Sequence, residues 1–237
     1  MPKKKKFKVK KRFTFSDKLL HCILRIPNRK AKVINTTGEP LPKQCILIAN
    51  HHGAAGPVNI RLFIKDVYMT WCAHQMCERY PSRWRYAYHT YYRKKLKYNK
   101  VKAFFKATLL AFINPWTYKY TGAIPVYYDS RIINTYRNSI ECIENNVPVL
   151  IFPENSNEGY KKVLEEFWGG FLAMSRLYYK KNNVDLPIYT LRFCTKPKRI
   201  IIGTPLYYNE LSKTHTDEEI LKMFVTHMNE LGAKYLA

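Results

Sequence analysis

The chain is poor in acidic residues and lacks any long apolar run. Its 237 residues include 17 Asp and Glu against 41 Lys and Arg, a formal net charge of +24 at pH 7. This excess predicts a polyanionic partner such as nucleic acid, anionic lipid headgroups or a phosphorylated acyl carrier. No segment reaches the roughly 18 consecutive apolar residues that indicate a membrane-spanning helix. We therefore expect a soluble or peripheral protein.

The sequence also lacks a CxxC pair among its six cysteines. Cys72 and Cys77 flank His74, but no second pair of ligands follows at a spacing that would complete a zinc site. The sequence therefore predicts no metal site. We expect the thiols to be free, as they are in a reducing cytoplasm.

Strand and helix patterns alternate along the chain. Buried strands are predicted at residues 45–49, 147–152 and 186–193, and amphipathic helices at 16–26, 100–112 and 217–235. This alternation predicts an α/β protein with a mixed, largely buried sheet flanked by helices. We expect a single domain over residues 16–237. The preceding residues 1–15 form a basic tail that is either disordered or in contact with a membrane.

The first buried strand ends abruptly at Asn50 and His51, and small residues follow up to Pro57. This pattern predicts an imidazole at the mouth of a loop or at the start of a helix. Because the pKa of histidine suits proton transfer near neutrality, His51 is the candidate catalytic base. An ordinary structural hydrogen bond at a strand end is the alternative interpretation.

Four short segments, taken in order, resemble motifs of the glycerolipid acyltransferase family, whose best-known members are the 1-acylglycerol-3-phosphate acyltransferases. They are Asn50-His51 for the NHxxxxD block, residues 122–126 for the GxIPV block, residues 152–154 for the FPEG block and residues 186–189 for the VPxxP-type block. The resemblance implies that His51 deprotonates a hydroxyl that then attacks an acyl thioester. It also implies that Gly122, Arg131, Pro153 and Glu154 bind substrate, although Glu154 is equally well explained as a cap after Pro153.

The sequence departs from the family pattern where the chemistry is carried out. Gly56 stands in place of the Asp that orients the histidine, and loss of that charge in a related dyad costs about ten-thousandfold in rate. Tyr127 and Asn155 begin the stretches in which the family usually has phosphate-binding arginines, and Arg131 is the nearest arginine to the first of them. Two hypotheses follow, namely an active acyltransferase and a relative that binds lipid without turnover.

Residues 79–102 interleave Arg and Lys with Tyr and Trp. This composition is typical of single-stranded nucleic-acid grooves and also of the headgroup layer of a membrane. Together with the family resemblance it favours a membrane, and nucleic-acid binding is the weaker alternative. Apolar residues that follow are predicted to contact an acyl chain or the bilayer: Phe104, Phe105, Leu109, Leu110 and Phe112.

The resemblance therefore implies a cytoplasmic enzyme that is peripheral on the inner face of an anionic membrane. It implies no cofactor, because the acyl group arrives on acyl-CoA or acyl-carrier protein as a substrate. The acceptor would be a lysophospholipid or another lipid hydroxyl.

Overall fold

The computed structural model describes residues 7–28, 30–156 and 159–235, and it contains one eight-stranded sheet with helices on both faces. The predicted α/β fold with a mixed, largely buried sheet is confirmed. The strands are β1 (Lys32–Asn35), β2 (Ile46–Ala49), β3 (Met69–Ala73), β4 (Ala123–Val126), β5 (Val149–Ile151), β6 (Pro187–Thr195), β7 (Lys198–Ile202) and β8 (Leu206–Tyr207). Their spatial order is β1-β7-β6-β2-β5-β3-β4, and β8 pairs with β6.

Five adjacent strands of the sheet, β6, β2, β5, β3 and β4, run parallel to one another. Strands β7 and β8 run antiparallel to β6, and β1 runs parallel to β7. The carboxyl ends of the five parallel strands therefore meet at one edge of the sheet. Chain segments that leave this edge can bring side chains from distant parts of the sequence together.

Nine α-helices and one π-helix occur in the described residues. They are α1 (Phe15–Arg25), α2 (Ala55–Phe63), α3 (His74–Cys77), α4 (Tyr80–Arg85), the π-helix (Tyr86–Lys95), α5 (Lys100–Thr121), α6 (Ile132–Glu144), α7 (Gly170–Asn182), α8 (Tyr208–Leu211) and α9 (Asp217–Lys234). Helices α6, α7 and α9 cover one face of the sheet, and α2 covers the other. Within the described ranges, no helix is both long and apolar enough to cross a bilayer.

The central strand β2 is buried on both faces. Ile46 and Ile48 pack with the core beneath α6, α7 and α9, whereas Leu47 and Ala49 pack with the core beneath α2. Successive side chains of a strand point to opposite faces, so a strand buried on both faces is apolar throughout. The unbroken apolar run of β2 has this origin.

The residues before α1 lie against the domain. Phe7 and Val9 pack on the core, and the Lys10 ammonium donates to the carbonyls of Lys119 and Tyr120 at 2.7 and 2.8 Å. Lys10 also pairs with the buried Asp17 at 2.9 Å. Residues 7–14 of the predicted tail therefore pack against the domain, while residues 1–6 lie outside the described part.

Helix α1 begins at Phe15, one residue before the predicted start, and its N-cap is Thr14. Thr14 and Asp17 form a capping box, in which each side chain bonds the backbone amide of the other residue. This reciprocal arrangement satisfies two amides at once. Helix α9 begins at the predicted residue, Asp217, and its N-cap Thr216 forms a second capping box with Glu219.

Helix α5 turns its small side chains inward and its large apolar side chains outward. Ala103, Ala107 and Ala111 are fully buried at a spacing of four residues, where the helix packs against α4 and the π-helix. The large apolar residues on the other side are exposed: Val101, Phe104, Phe105, Leu109, Phe112, Ile113 and Trp116. An exposed apolar face of this size is uncommon on a monomeric protein and indicates an interaction surface.

Candidate active site

The candidate site lies at the carboxyl edge of the parallel strands, where β2 and β5 end side by side. Strand β2 leads through Asn50 and His51 into α2 on one face of the sheet. Strand β5 leads through Pro153 and Glu154 toward α7 on the other face. Connections that depart from neighbouring strands to opposite faces mark the position at which α/β proteins bind ligands.

Asn50 fixes the point at which the chain leaves β2. Its side-chain amide donates to the carbonyl of Phe193 at 3.0 Å and accepts from the amide of Phe193 at 2.7 Å. These two bonds join β2 to β6 beyond the last ladder pair, and Asn50 is buried. The Asn of the Asn-His pair therefore has a structural role, since it holds the backbone from which His51 projects.

The imidazole of His51 is oriented by a backbone carbonyl. Its Nδ1 donates to the carbonyl oxygen of Gly53 at 2.5 Å, in a tight turn with positive φ at His52 (42°) and Gly53 (65°). Within the described residues Nε2 makes no hydrogen bond. This assignment of the tautomer follows from the hydrogen-bond partner and leaves Nε2 as the nitrogen that can accept a proton.

Gly56 is required because α2 begins in contact with the backbone of His51. Its amide donates to the carbonyl oxygen of His51 at 3.2 Å. A Cβ at position 56 would lie 2.3 Å from that oxygen and 2.8 Å from the carbonyl oxygen of Asn50. An Asp cannot occupy this position in the present backbone, because its Cβ would overlap the carbonyl oxygen of His51.

Aromatic side chains enclose the ring of His51. Tyr160 stacks on it with centroids 5.0 Å apart and planes 20° apart, and Phe152 meets it at 5.1 Å in an edge orientation. Burial lowers the pKa of His51 from 6.5 to about 4, although the hydrogen bond to Gly53 opposes this change. The ring is therefore neutral at pH 7, in the form that accepts a proton.

Glu154 is 8% exposed and joins the two loops of the site. Its Oε2 accepts from the backbone amide of His51 at 2.9 Å, and its carboxylate also accepts from the amide of Lys161. Burial raises the pKa of Glu154, and these hydrogen bonds oppose the increase. The carboxylate bonds the backbone of His51 and not its ring, so Glu154 does not orient the imidazole as a catalytic carboxylate would.

Pro153 lies beside Glu154 and is also buried. Its carbonyl accepts from the amide of Trp168 at 2.8 Å, which closes the long loop between β5 and α7. Phe152 and Glu154 of the Phe-Pro-Glu segment therefore contact His51, and Pro153 lies between them in the chain.

Two other predicted substrate-binding residues lie away from this group. Gly122 caps the end of α5 with φ of 65° and precedes β4. It therefore lies at the amino ends of the parallel strands, whereas His51 lies at their carboxyl ends. Arg131 follows β4, which is three strands from β2, a distance of about 14 Å. Its guanidinium pairs with Asp129 at 2.7 Å and stacks on Tyr127.

Three residues at the site carry no motif in the sequence. These are Gly53, whose carbonyl holds the ring, Tyr160, which stacks on it, and Lys95 at the end of the π-helix. The Lys95 ammonium donates to Ser156 Oγ at 2.7 Å, and its charge acts on both His51 and Glu154. The basic and aromatic composition of residues 79–102 was the available signal for Lys95, but it does not single out one lysine.

No group of three or more His, Cys, Asp or Glu residues that could hold a metal ion occurs in the described parts of the chain. Cys72 and Cys77 approach to 3.3 Å between sulfur atoms, and both thiols are free. Two surface pockets of about 610 and 440 Å³ lie elsewhere, the first beside Lys30 and Lys196 and the second beside Lys222.

The fold and site define an α/β protein with a half-buried, neutral histidine at the carboxyl edge of its central strand. Its fold is similar to the crystal structure of the 1-acyl-sn-glycerophosphate (LPA) acyltransferase PlsC from Thermotoga maritima, with a TM-score of 0.50. The likeness covers 93% of this chain and 77% of that chain at 15% sequence identity. No family model and no curated protein matches the sequence. At this identity the likeness shows a common fold.

Proposed function

We propose that the protein is an acyltransferase that moves a fatty acyl group from an acyl thioester to a lipid hydroxyl. The observation that carries this proposal is the His51 ring, held by Gly53 so that Nε2 is available at the carboxyl edge of a PlsC-like sheet. Nε2 accepts the proton of the acceptor hydroxyl, and the hydroxyl oxygen attacks the thioester carbonyl. The carbon–sulfur bond then breaks, and the imidazolium returns the proton to the departing thiolate.

The carbonyl of Gly53 orients the ring but carries no full negative charge. It therefore fixes the tautomer as a dyad Asp does, and it stabilises the charged imidazolium less well. We expect turnover that depends on His51 and is slower than that of a site with an intact histidine–carboxylate dyad.

The test compares His51→Gln with the matched control His52→Gln, using acyl-CoA and acyl-carrier protein as donors and lysophospholipids as acceptors. The ring of the neighbouring His52 lies against Phe193 instead of Tyr160. Loss of a general base costs about 100-fold to 10,000-fold in rate. We expect that loss for His51→Gln and little change for His52→Gln, measured by release of free thiol and by the acylated lipid product.

Equal rates for wild type and His51→Gln would contradict the proposal. A wild type that binds lysophospholipid tightly but releases no thiol would instead establish the second hypothesis, a relative that binds lipid without turnover.

We also propose that the protein docks on the inner, cytoplasmic face of an anionic membrane through the apolar surface of α1 and α5. On α1 this surface comprises Phe15, Leu19 and Ile23, which follow one another at a spacing of four residues and are exposed. Helix α1 contacts α5 near the C-terminal end of that helix, where His21 bonds the hydroxyl of Tyr120 at 2.8 Å. Phe15 is 82% exposed and Phe105 67%.

The charges around the apolar surface match an anionic bilayer. Helix α5 carries several lysines and no acidic residue. The one acidic residue of α1, Asp17, is buried against Lys10. Aromatic and aliphatic side chains flanked by lysines are typical of helices that lie in the headgroup layer, where each cation contributes about 1 kcal/mol.

The docking test uses Phe105→Ser/Phe112→Ser, with Val184→Ser as the control because Val184 is exposed and lies outside this surface. Removing one buried aromatic ring costs about 1.5 to 3 kcal/mol, so we expect the double variant to bind vesicles at least about 100-fold more weakly. The vesicles are phosphatidylcholine alone and phosphatidylcholine mixed equally with phosphatidylglycerol. Equal binding of all three proteins, or no preference for the anionic vesicles, would overturn the docking proposal. Tight binding of an oligonucleotide by wild type and double variant alike would favour the nucleic-acid alternative.

A further inference from the structure

The site lacks the two arginines that the resemblance implies for an acceptor phosphate. Tyr127 and Asn155 begin the corresponding stretches, and Arg131 is engaged by Asp129. An anionic acceptor nevertheless needs a cation close to the hydroxyl that loses its proton, because a phosphate taken out of water requires charged donors. The candidate must lie near His51 and be accessible to ligand.

Lys95 meets this requirement through a chain of contacts that leads to the ring. Its ammonium donates to Oγ of the buried Ser156 at 2.7 Å. Ser156 in turn bonds the hydroxyl of Tyr160, whose ring stacks on His51 at 5.0 Å. The backbone of Lys95 also lies beside Gly159, since a Cβ added there would be 3.4 Å from the Lys95 carbonyl.

The electrostatics agree with this geometry. After burial, the positive charge of Lys95 contributes to the lowered pKa of His51, and it opposes the increase that burial causes in the pKa of Glu154, so both groups lie within range of its field. Lys95 is half-buried, and burial lowers its own pKa. An ammonium has three donors, and in the described residues only one of them is used, by Ser156.

We propose that Lys95 binds the phosphate of the acyl acceptor and so selects a lysolipid whose phosphate lies close to the reacting hydroxyl. The proposal rests on the acyl-transfer function proposed above. A lysine acts on phosphate as a point charge with rotatable donors, so it does not need the fixed fork of an arginine. Lys95 is supplied by the π-helix between β3 and β4, and not by the segments that resemble the family motifs. Helices with this register are rare and often occur at functional sites.

The test compares Lys95→Met with Lys94→Met, a control that removes the same charge from an exposed position on the same helix. Each protein is assayed with lysophosphatidate and with a monoacylglycerol of the same acyl chain, at constant acyl-CoA. A charge-assisted hydrogen bond contributes about 1.5 to 3 kcal/mol. We therefore expect Lys95→Met to raise the KM for lysophosphatidate by about tenfold or more and to leave the KM for monoacylglycerol unchanged. Lys95→Arg should restore most of the affinity.

A second pair of assays separates the acceptor phosphate from the donor phosphates. Acyl-CoA is replaced by an acyl-pantetheine that carries no phosphate. If the defect of Lys95→Met disappears with this donor, Lys95 serves the donor and the proposal is wrong. If Lys95→Met weakens both acceptors equally, its role is structural, and the proposal is also wrong.

Binding of lysophosphatidate without donor provides a measurement that does not depend on turnover. A wild type that binds it about tenfold more tightly than Lys95→Met, yet transfers no acyl group, would support the anion site and contradict only the acyl-transfer function. Equal binding by wild type and Lys95→Met, with active transfer by both, would contradict the anion site alone.

Discussion

The half-buried imidazole of His51 gives the protein a pH dependence of stability that can be calculated. The pKa of His51 is about 4 in the folded state and 6.5 in the unfolded chain. Between these two values the unfolded state binds a proton that the folded state does not, so stability decreases as the pH falls from about 7 to about 4. Each pKa unit corresponds to 1.36 kcal/mol, and the difference therefore amounts to about 3 kcal/mol of unfolding free energy.

Urea denaturation of wild type and His51→Gln across this pH range tests the calculation. Other groups titrate in both proteins, so the informative quantity is the difference between the two unfolding free energies at each pH. We expect wild type to lose about 3 kcal/mol relative to His51→Gln between about pH 7 and pH 4. Because the ring stays largely neutral until the pH approaches 4, the acid limb of kcat/KM should also lie near pH 4 and not near 6.5. An NMR titration that places the pKa of His51 near 6.5 would refute the reasoning, since the ring would then not be enclosed by Tyr160 and Phe152.

Substitutions at three positions test the backbone that supports the ring, each by urea denaturation. Gly56→Ala should cost about 1 to 3 kcal/mol because its methyl group would lie against the His51 carbonyl, and a variant as stable as wild type would contradict this packing. Asn50→Leu should cost about 2 to 5 kcal/mol, since it leaves the amide and the carbonyl of Phe193 buried and unpaired; a change below about 1 kcal/mol would show that this bridge is dispensable. Glu154→Ala should cost about 2 kcal/mol, whereas Glu154→Gln retains an acceptor for the His51 amide and should cost less; the reverse order would exclude that contact.

The parts of the fold that depend on local pattern could be predicted from the sequence. Strand β2 is apolar over four consecutive residues, and burial on both faces follows from that run. The orientation of α5 could not be obtained in this way, because its apolar residues lie on more than one side. Which side faces inward is decided by the fit of Ala103, Ala107 and Ala111 against α4 and the π-helix, and that fit involves residues distant in sequence.

The candidate site was only partly visible in the sequence. Asn50, His51, Pro153 and Glu154 come together because each follows the end of a parallel strand, which the strand pattern indicates. Gly122 was predicted to bind substrate, but it precedes β4 and lies at the amino end of that strand. The motif resemblance alone does not indicate at which end of β4 the residue lies. The carbonyl of Gly53 can accept from the His51 ring only because His52 and Gly53 adopt a particular backbone conformation. The identity of these two residues alone does not predict that conformation.

Orientation of His51 by a carbonyl instead of a carboxylate affects the electrostatics of the site as well as its geometry. A carboxylate beside His51 would raise the pKa of the imidazole and stabilise the proton that the ring receives. Here burial and, to a smaller extent, the charge of Lys95 lower that pKa, so the site disfavours positive charge on the ring. The Lys95 ammonium at the same time favours an anionic group close to it, because its charge opposes the increase that burial causes in the pKa of Glu154. A site of this kind gains more from stabilising the developing anion than from holding the proton. The carbonyl partner of His51 and the presence of Lys95 are therefore consistent with each other, because both direct the proposed chemistry toward an acceptor that brings negative charge of its own.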